Sequence, residues 1–255
     1  MTAIDIEALA GRLDDAARHA TATPQLEQAI SLEQAYAIQR LSIERRLRRG
    51  ERRIGIKMGF TSRAKMVQMG VSDMIWGRLT SAMLVDDGAT VRLGDYVHPR
   101  VEPEVAFLVG RPLAGAVTAP QALAAIDAVA PALEIIDSRY ENFRFSLTDV
   151  VADNSSSSGF VVGPWRSPAT DLDNLGLVLD FDGRPQAFGS TAAILGHPLR
   201  SLVAAARVVA EAGESLQPGD IVLAGGATAA CALRAGIHVS LEVESLGRCG
   251  FHVEG

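Results

Sequence analysis

Glu102 and Glu104 flank a single proline in Val101-Glu102-Pro103-Glu104-Val105, and the run continues as Ala106-Phe107-Leu108-Val109. The apolar neighbours mark a strand that is at least half buried. Alternate side chains of a strand share a face, so the two carboxylates point the same way, with Cα atoms roughly 6–7 Å apart. Like charges placed so repel, and a half-buried sheet screens them poorly. A cation between them relieves the conflict. Glu134 is a third acid in apolar company, within Val129-Ala130-Pro131-Ala132-Leu133-Glu134-Ile135-Ile136. A carboxylate there is costly unless paired or metal-bound. Alone, it is better explained by pairing with a cation such as Arg139 or by an exposed strand face. Together the three acids form an oxygen-only ligand set, which favours a hard ion, Mg²⁺ with Mn²⁺ as the alternative. About three octahedral positions would remain for water and substrate. A 2-oxo acid, chelating through carboxylate and ketone, suits such an ion, which acts as a Lewis acid while an enolate forms.

A lysine stands near this set in character if not in sequence. Lys57 lies in Ile54-Gly55-Ile56-Lys57-Met58-Gly59-Phe60-Thr61-Ser62. It reads either as a lysine snorkelling from a strand or as a desolvated ammonium that stabilises an anion or moves a proton. Asp153-Asn154-Ser155-Ser156-Ser157-Ser158 reads either as a self-satisfied turn or as an anion-binding loop. Gly225-Gly226-Ala227-Thr228 carries the same two readings and is no phosphate loop, because no Gly-Lys-Ser/Thr follows. His98 and His197 each precede a proline and read as structural.

The elements that must hold these groups fall into two textures. Ile6, Leu9, Leu13 and Ala17 recur at helical spacing between Ile4 and Ala20. A second helix starts at Ser31, where Ser31-Leu32-Glu33-Gln34 fits a capping box, and runs to about Arg49 before Gly50. From there on, strand-like runs dominate: Arg53–Met58, Thr90–Leu93, Val101–Val109, Leu133–Ile136, Phe160–Val162, Leu175–Phe181, Ile221–Leu223 and Ile237–Val243. Helices are expected over Pro120–Val129 and Leu199–Ala212, and Asp182-Gly183 signals a hairpin turn. The expected fold is α+β: a helical N-terminal cap over about 1–52 and a mainly β, mixed-sheet core over about 53–255. We read 1–255 as a single catalytic domain.

Composition narrows the class. Hydrophobic residues at 48% against 21% charged describe a well-packed soluble globule, while 5% aromatics leave the core to Ala, Val, Leu and Ile. A net charge of −6 argues against nucleic acid. The one basic cluster, Arg45, Arg46, Arg48, Arg49, Arg52 and Arg53, reads as a solvated face at a helix end. No secretory signal or membrane-length apolar run is visible, and Cys231 and Cys249 lack metal-ligand or redox spacing, so a cytoplasmic protein with free thiols is expected.

Several segments together carry a family resemblance along nearly the whole chain. Gly55-Ile56-Lys57-Met58-Gly59-Phe60-Thr61-Ser62, Arg100-Val101-Glu102-Pro103-Glu104-Val105, Glu134-Ile135-Ile136-Asp137-Ser138-Arg139, Val151-Ala152-Asp153-Asn154, Leu195-Gly196-His197-Pro198-Leu199 and Pro218-Gly219-Asp220 resemble the hydratase/decarboxylase family of aromatic meta-cleavage pathways. That family is related to the fumarylacetoacetate hydrolase fold. Ala64-Lys65-Met66-Val67-Gln68-Met69-Gly70-Val71 and Ser138-Arg139-Tyr140-Glu141-Asn142-Phe143-Arg144-Phe145 are closer to its decarboxylases. Its hydratases typically carry Pro-Asp-Phe-Gly where this chain has Met74-Ile75-Trp76-Gly77.

The resemblance implies a core of the fumarylacetoacetate hydrolase C-terminal type, with Glu102, Glu104 and Glu134 as metal ligands and Lys57 as the active-site lysine. It implies metal-dependent decarboxylation of 2-oxohex-3-enedioate to 2-hydroxypenta-2,4-dienoate, with 2-oxopent-4-enoate hydration and a non-catalytic partner-subunit role as rivals. Thr61, Ser62, Ile75, Trp76, Asn154, Ser156 and Ser157 become the expected substrate contacts, Ile75 and Trp76 as an apolar wall. Arg78 stands where decarboxylases tend to have an aromatic residue, and is expected to affect how the second substrate carboxylate is held. The implied partners are a small 2-oxo acid and further subunits, as a homo-oligomer or a complex with a related hydratase.

Overall fold

The computed structural model describes residues 4–26, 29–61 and 74–255. Two helices open the chain, α1 (Ile6–Arg18) and α2 (Leu32–Arg48). Asp5 caps the first by accepting from Ala8 N, and Ser31 and Gln34 close a reciprocal capping box on the second. The helices turn Leu13, Ala35 and Ile38 onto a cluster that includes Ile75, Tyr140, Val150 and Val151.

Beneath them lies an α+β core of two sheets. The strands are β1 (Arg53–Gly59), β2 (Ile75–Thr80), β3 (Leu84–Val85), β4 (Thr90–Arg92), β5 (Arg100–Val109), β6 (Ile126–Ile136), β7 (Ser157–Val162), β8 (Gly176–Phe181), β9 (Arg184–Ser190), β10 (Ile221–Leu223), β11 (Cys231–Ala232), β12 (Ile237–Val243) and β13 (Gly247–Glu254). The larger sheet runs β2-β1-β10-β5-β6-β7-β3, with β11 added to β5, and the smaller runs β4-β13-β12-β8-β9. Short helices α3 (Ala119–Leu123) and α4 (Leu147–Ala152) and the longer α5 (Pro198–Glu211) are the other α-helices among the described residues. Phe107, Val129, Leu133, Leu179, Val209, Leu241 and Phe251 belong to one buried cluster that joins both sheets and α5. The segment Thr191–Glu211 has the length and hydropathy of a membrane span, but half of its apolar window is buried inside the molecule, as in a core helix.

Several expectations need correcting. The helix expected over Pro120–Val129 stops at Leu123, and the chain from Ile126 is already in β6. Local signals there do favour a helix start, since Thr118 makes a capping box with Gln121 and Pro120 lies in the first turn. Pairing with the whole length of β5 then overrides propensity, and β6 runs through Pro131 to Ile136 rather than starting at Leu133. The basic cluster is a solvated face only in part: Arg48 and Arg52 are exposed, but Arg45, Arg46 and Arg49 turn to a buried acid. Asp14 of α1, its side chain fully buried, takes Arg45 at 2.8 Å and Arg49 at 2.6 Å, and Arg46 stands 3.8 Å away. These pairs clamp the end of α2 to α1. Strands β2 and β13 and the short α4 were not expected, although Ser146 and Asp149 give α4 a capping box.

Candidate metal centre

The register of β5 against β6 builds the site. Glu102 stands directly opposite Glu134 in this antiparallel pair, and Glu104, two residues further along, shares the face of Glu102. Carboxylate oxygens of Glu102, Glu104 and Glu134 all lie within 4.8 Å of one another, and all three residues are buried. Lys57 enters from β1, whose pairing with β10 places it in the same sheet. Its Nζ is 3.0 Å from Glu134 Oε2 and donates to the Ser155 carbonyl at 3.1 Å.

One ammonium among the described residues, that of Lys57, stands against three carboxylates. Among the described residues, Glu104 Oε1 and both oxygens of Glu134 accept no hydrogen bond of good geometry; the Lys57 approach to Glu134 is close but off the hydrogen-bonding direction. Buried acceptors left open in this way are expensive, so a cation in their midst fits both their charge and their open lone pairs. Burial and the neighbouring Glu134 push the Glu104 carboxyl well above its usual range, with Lys57 only partly opposing them. Burial also raises Glu134 against the pull of Lys57. For Lys57 burial acts downward, but the three carboxylates outweigh it and hold the ammonium above its ordinary value.

The glycine pair after β10 is neither an anion loop nor a free turn. Gly225 N donates to Glu104 Oε2 at 2.6 Å, at a backbone φ of +104° that favours glycine. A Cβ on Gly226 would lie 2.5 Å from Glu102 Oε2. One glycine orients a carboxylate and the other makes room for its neighbour.

A cavity of about 320 Å³ opens beside the acids. Lys57, Glu102, Ser155 and Ser156 give it polar groups, Phe60, Ile75, Phe143, Phe145 and Val150 give it an apolar wall, and Arg100 adds a cation. Ile75 and Ser156 thus face the cavity, as expected. Thr61 is buried with its side chain against Gly225, and Ser62, like the Ala64–Val71 segment, lies outside the described residues. Trp76 does not form part of the wall. It follows Ile75 on β2, so its ring points to the opposite face, stacked on Tyr36 at 5.6 Å and covered by the Arg78 guanidinium at 4.4 Å. Arg78 shares that outer face, bonded to Gln39 and Glu214, and is away from the cavity rather than beside a substrate carboxylate. Asn154 and Ser157 also do not line the cavity: Asn154 ties both backbone groups of Arg78, and Ser157 is fully buried on β7.

Asn154, Ser155 and Ser156 all have positive φ, between 50° and 60°. Such backbone costs energy for residues other than glycine and persists where its surroundings over-determine it. Here the Asn154 bonds to Arg78 and a 2.7 Å bond from Ser155 Oγ to the Trp76 carbonyl hold the turn, which presents the Ser155 carbonyl to Lys57. Arg100, Phe143, Phe145 and Val150 are among the cavity residues to which sequence reasoning gave no role, and Ser155 was noted only as part of its serine loop. Arg139, the partner first considered for Glu134, pairs with Asp153 instead.

The model of the fumarylacetoacetate (FAA) hydrolase C-terminal family matches residues 53–254. The chain belongs to that family. Within it, a 4-oxalocrotonate decarboxylase of Pseudomonas sp. is 59% identical over 98% of this chain and 98% of its own length. A 2-keto-4-pentenoate hydratase of Paraburkholderia xenovorans (strain LB400) is 35% identical over 86% of this chain and 82% of its own. Among solved structures, 4-oxalocrotonate decarboxylase from Pseudomonas putida G7, complexed with magnesium and adipate, superimposes with a TM-score of 0.95 at 36% identity, covering 99% of this chain and 98% of that one. The two-sheet core is thus the family's, the helical cap is shared with that decarboxylase structure, and the magnesium- and calcium-bound relatives support a divalent-metal site.

Proposed function

We propose that this chain is a metal-dependent carboxy-lyase that converts 2-oxohex-3-enedioate (4-oxalocrotonate) to 2-hydroxypenta-2,4-dienoate and CO₂ in aromatic meta-cleavage catabolism, acting as one catalytic domain over residues 1–255. The observation that carries this reading is end-to-end similarity, 59% identity over 98% of both chains, to a 4-oxalocrotonate decarboxylase. Glu102, Glu104 and Glu134 are assigned as ligands of a divalent ion, Mg²⁺ by analogy with the magnesium-bound relative and Mn²⁺ as the alternative. When bound, that ion supplies Lewis-acid polarisation of the 2-oxo acid.

The chain's own residues do the rest. In the reaction the C5–C6 bond breaks, CO₂ departs, and its electron pair moves through the C4–C5 and C2–C3 positions to the C2 oxygen, which then takes a proton. Lys57 is the group assigned to stabilise that developing charge and to deliver the proton. The Ser155 carbonyl, 3.1 Å from its Nζ, aims the ammonium. Ile75, Phe143, Phe145 and Val150 exclude water from the cavity, which favours loss of a charged carboxylate over addition of water. Thr61, Ser62 and Ser156 are proposed substrate contacts, and Asn154, through its bonds to Arg78, holds the turn that carries Ser156. We also assign the chain to the cytoplasm, with Cys231 and Cys249 free. Further subunits, as a homo-oligomer or with a related hydratase, are proposed to pack against it; the exposed edge strand β9 offers unpaired backbone for such contact.

The hydratase reading shares metal, fold and substrate shape, and the similarity to a pentenoate hydratase favours it as the runner-up. Supplying the protein separately with 2-oxohex-3-enedioate and 2-hydroxypenta-2,4-dienoate, with Mg²⁺, separates the two. CO₂ release from the first with no water addition to the second supports the lyase; the reverse pattern rejects it.

A further inference from the structure

Two cations line the cavity among its described residues, Lys57 and Arg100, and they are differently engaged. Lys57 is committed to Glu134 and the Ser155 carbonyl. Among the described residues no carboxylate forms an ion pair with Arg100. Its guanidinium instead lies 4.4 Å over the centre of the Phe143 ring, and stacking of that kind leaves the N–H fork free to bind in plane. Phe143 is itself fixed, edge-on to Phe145 at 5.4 Å and held with Asn142 at positive φ.

Position turns this free cation into a gauge of ligand length. Arg100, Glu102 and Glu104 occupy alternate positions of β5 and share one face. Arg100 therefore begins one two-residue repeat, roughly 6.7 Å, before the first of the clustered acids. That repeat is comparable with the extended length of a six-carbon diacid. A 2-oxo acid with its carboxylate and ketone at the acid cluster would direct its far end past the apolar wall toward Arg100.

We propose that Arg100 is a specificity-determining residue that selects dicarboxylate over monocarboxylate 2-oxo acids by pairing, fork to carboxylate, with the carboxylate remote from the metal centre. The proposal rests on the lyase reading for the identity of the substrate. A planar two-point contact orients the carboxylate that is to be lost, and the product, without that carboxylate, has no partner for Arg100 and is free to leave.

The test is binding of 2-oxoadipate and 2-oxopentanoate, which differ in the distal carboxylate, to Mg²⁺-loaded wild-type, Arg100→Gln and Arg100→Lys proteins by calorimetry. The wild type is expected to prefer the diacid. Arg100→Gln is expected to lose about 10- to 100-fold of that preference, the range for a charge-assisted pair, with 2-oxopentanoate affinity within about twofold of wild type. Arg100→Lys, which keeps charge but not the fork, is expected to lose about 3- to 10-fold and serves should the glutamine variant fail to fold. An unchanged preference, or equal weakening of both ligands, overturns the proposal. CO₂ release from 2-oxohex-3-enedioate by the wild type is measured alongside. No release with an Arg100-dependent diacid preference rejects the lyase reading alone; release with an Arg100-independent preference rejects the Arg100 assignment alone.

Discussion

Glu104→Gln should make the metal-free protein more stable while abolishing its response to metal. The substitution keeps shape, and the glutamine oxygen can still accept from Gly225 N, now at 2.6 Å from Glu104 Oε2. What disappears is a charge. With carboxylate oxygens within 4.8 Å of one another, each pair of ionised acids repels by about 3.5 kcal/mol at an effective dielectric of about 20. Removing Glu104 deletes repulsion with two acids and attraction with Lys57, so the net gain is about one such repulsion. The raised proton affinity of Glu104 means that the wild type already avoids part of this cost by holding a proton, which reduces the expected gain to about 1–3 kcal/mol. At about 2–4 °C per kcal/mol this is a rise in Tm of roughly 2–12 °C in EDTA. The wild type should regain stability with Mg²⁺, by about 2.7 kcal/mol at a hundred times its Kd, and less so as pH falls, because protons compete for the same oxygens. The variant should gain none. Differential scanning calorimetry in EDTA and across a Mg²⁺ titration measures both effects. A variant less stable than wild type in EDTA, yet equally stabilised by Mg²⁺, would refute the electrostatic reasoning.

Other consequences concern the frame around the acids. Gly226→Ala places a Cβ 2.5 Å from Glu102 Oε2, and is expected to weaken Mg²⁺ binding at least about tenfold with little change of Tm in EDTA; an unchanged Kd by calorimetry would contradict it. Asp14→Asn should cost about 2–3 kcal/mol in urea unfolding at pH 7, since it leaves Arg45 and Arg49 without their buried acid. Burial pushes the Asp14 carboxyl up, but Arg49 and Arg45 outweigh it and hold it below its usual 3.8. A pKa lower in the folded state means the stabilisation is complete above about pH 4 and lost as pH falls through the folded value; the gap between wild type and variant should close there, and a gap that widens would be inconsistent. Asn154→Ala should destabilise by about 2–3 kcal/mol, and Asn154→Gly by about 1 kcal/mol less, because both lose the bonds to Arg78 but glycine tolerates the positive φ. The reverse order in urea unfolding would show that the turn stores no strain.

The acids were legible because their signal is local. Two-residue alternation puts Glu102 and Glu104 on one face whatever the rest of the fold does, and a lone acid in an apolar run demands a partner. That Glu134 lies opposite Glu102 is a matter of register between β5 and β6, which no local pattern records. The same distinction explains the misplaced residues. Ile75–Thr80 was not read as a strand, so nothing separated Ile75, rightly expected at the cavity, from Trp76 and Arg78 on the far face. Asn154 was grouped with its serines by composition, whereas its side chain is spent on the backbone of Arg78. Arg45, Arg46 and Arg49 looked solvated because their partner, Asp14, belongs to another helix. Arg100, two positions before Glu102, was quoted without a role, and an arginine with no carboxylate partner among the described residues becomes visible only once the cavity is formed. The stop of α3 at Leu123 is likewise decided by the β5 ladder and not by local propensity.

The most direct test of the central claim follows the carboxylate itself. EDTA-stripped protein is given 2-oxohex-3-enedioate labelled with ¹³C at C6, Mg²⁺ is added back, and the initial rate of labelled CO₂ release is recorded together with the mass of the organic product. A saturable, Mg²⁺-restored rate with one CO₂ per 2-hydroxypenta-2,4-dienoate is the predicted result. Retention of the label in a water adduct, or release that ignores the metal, would contradict it.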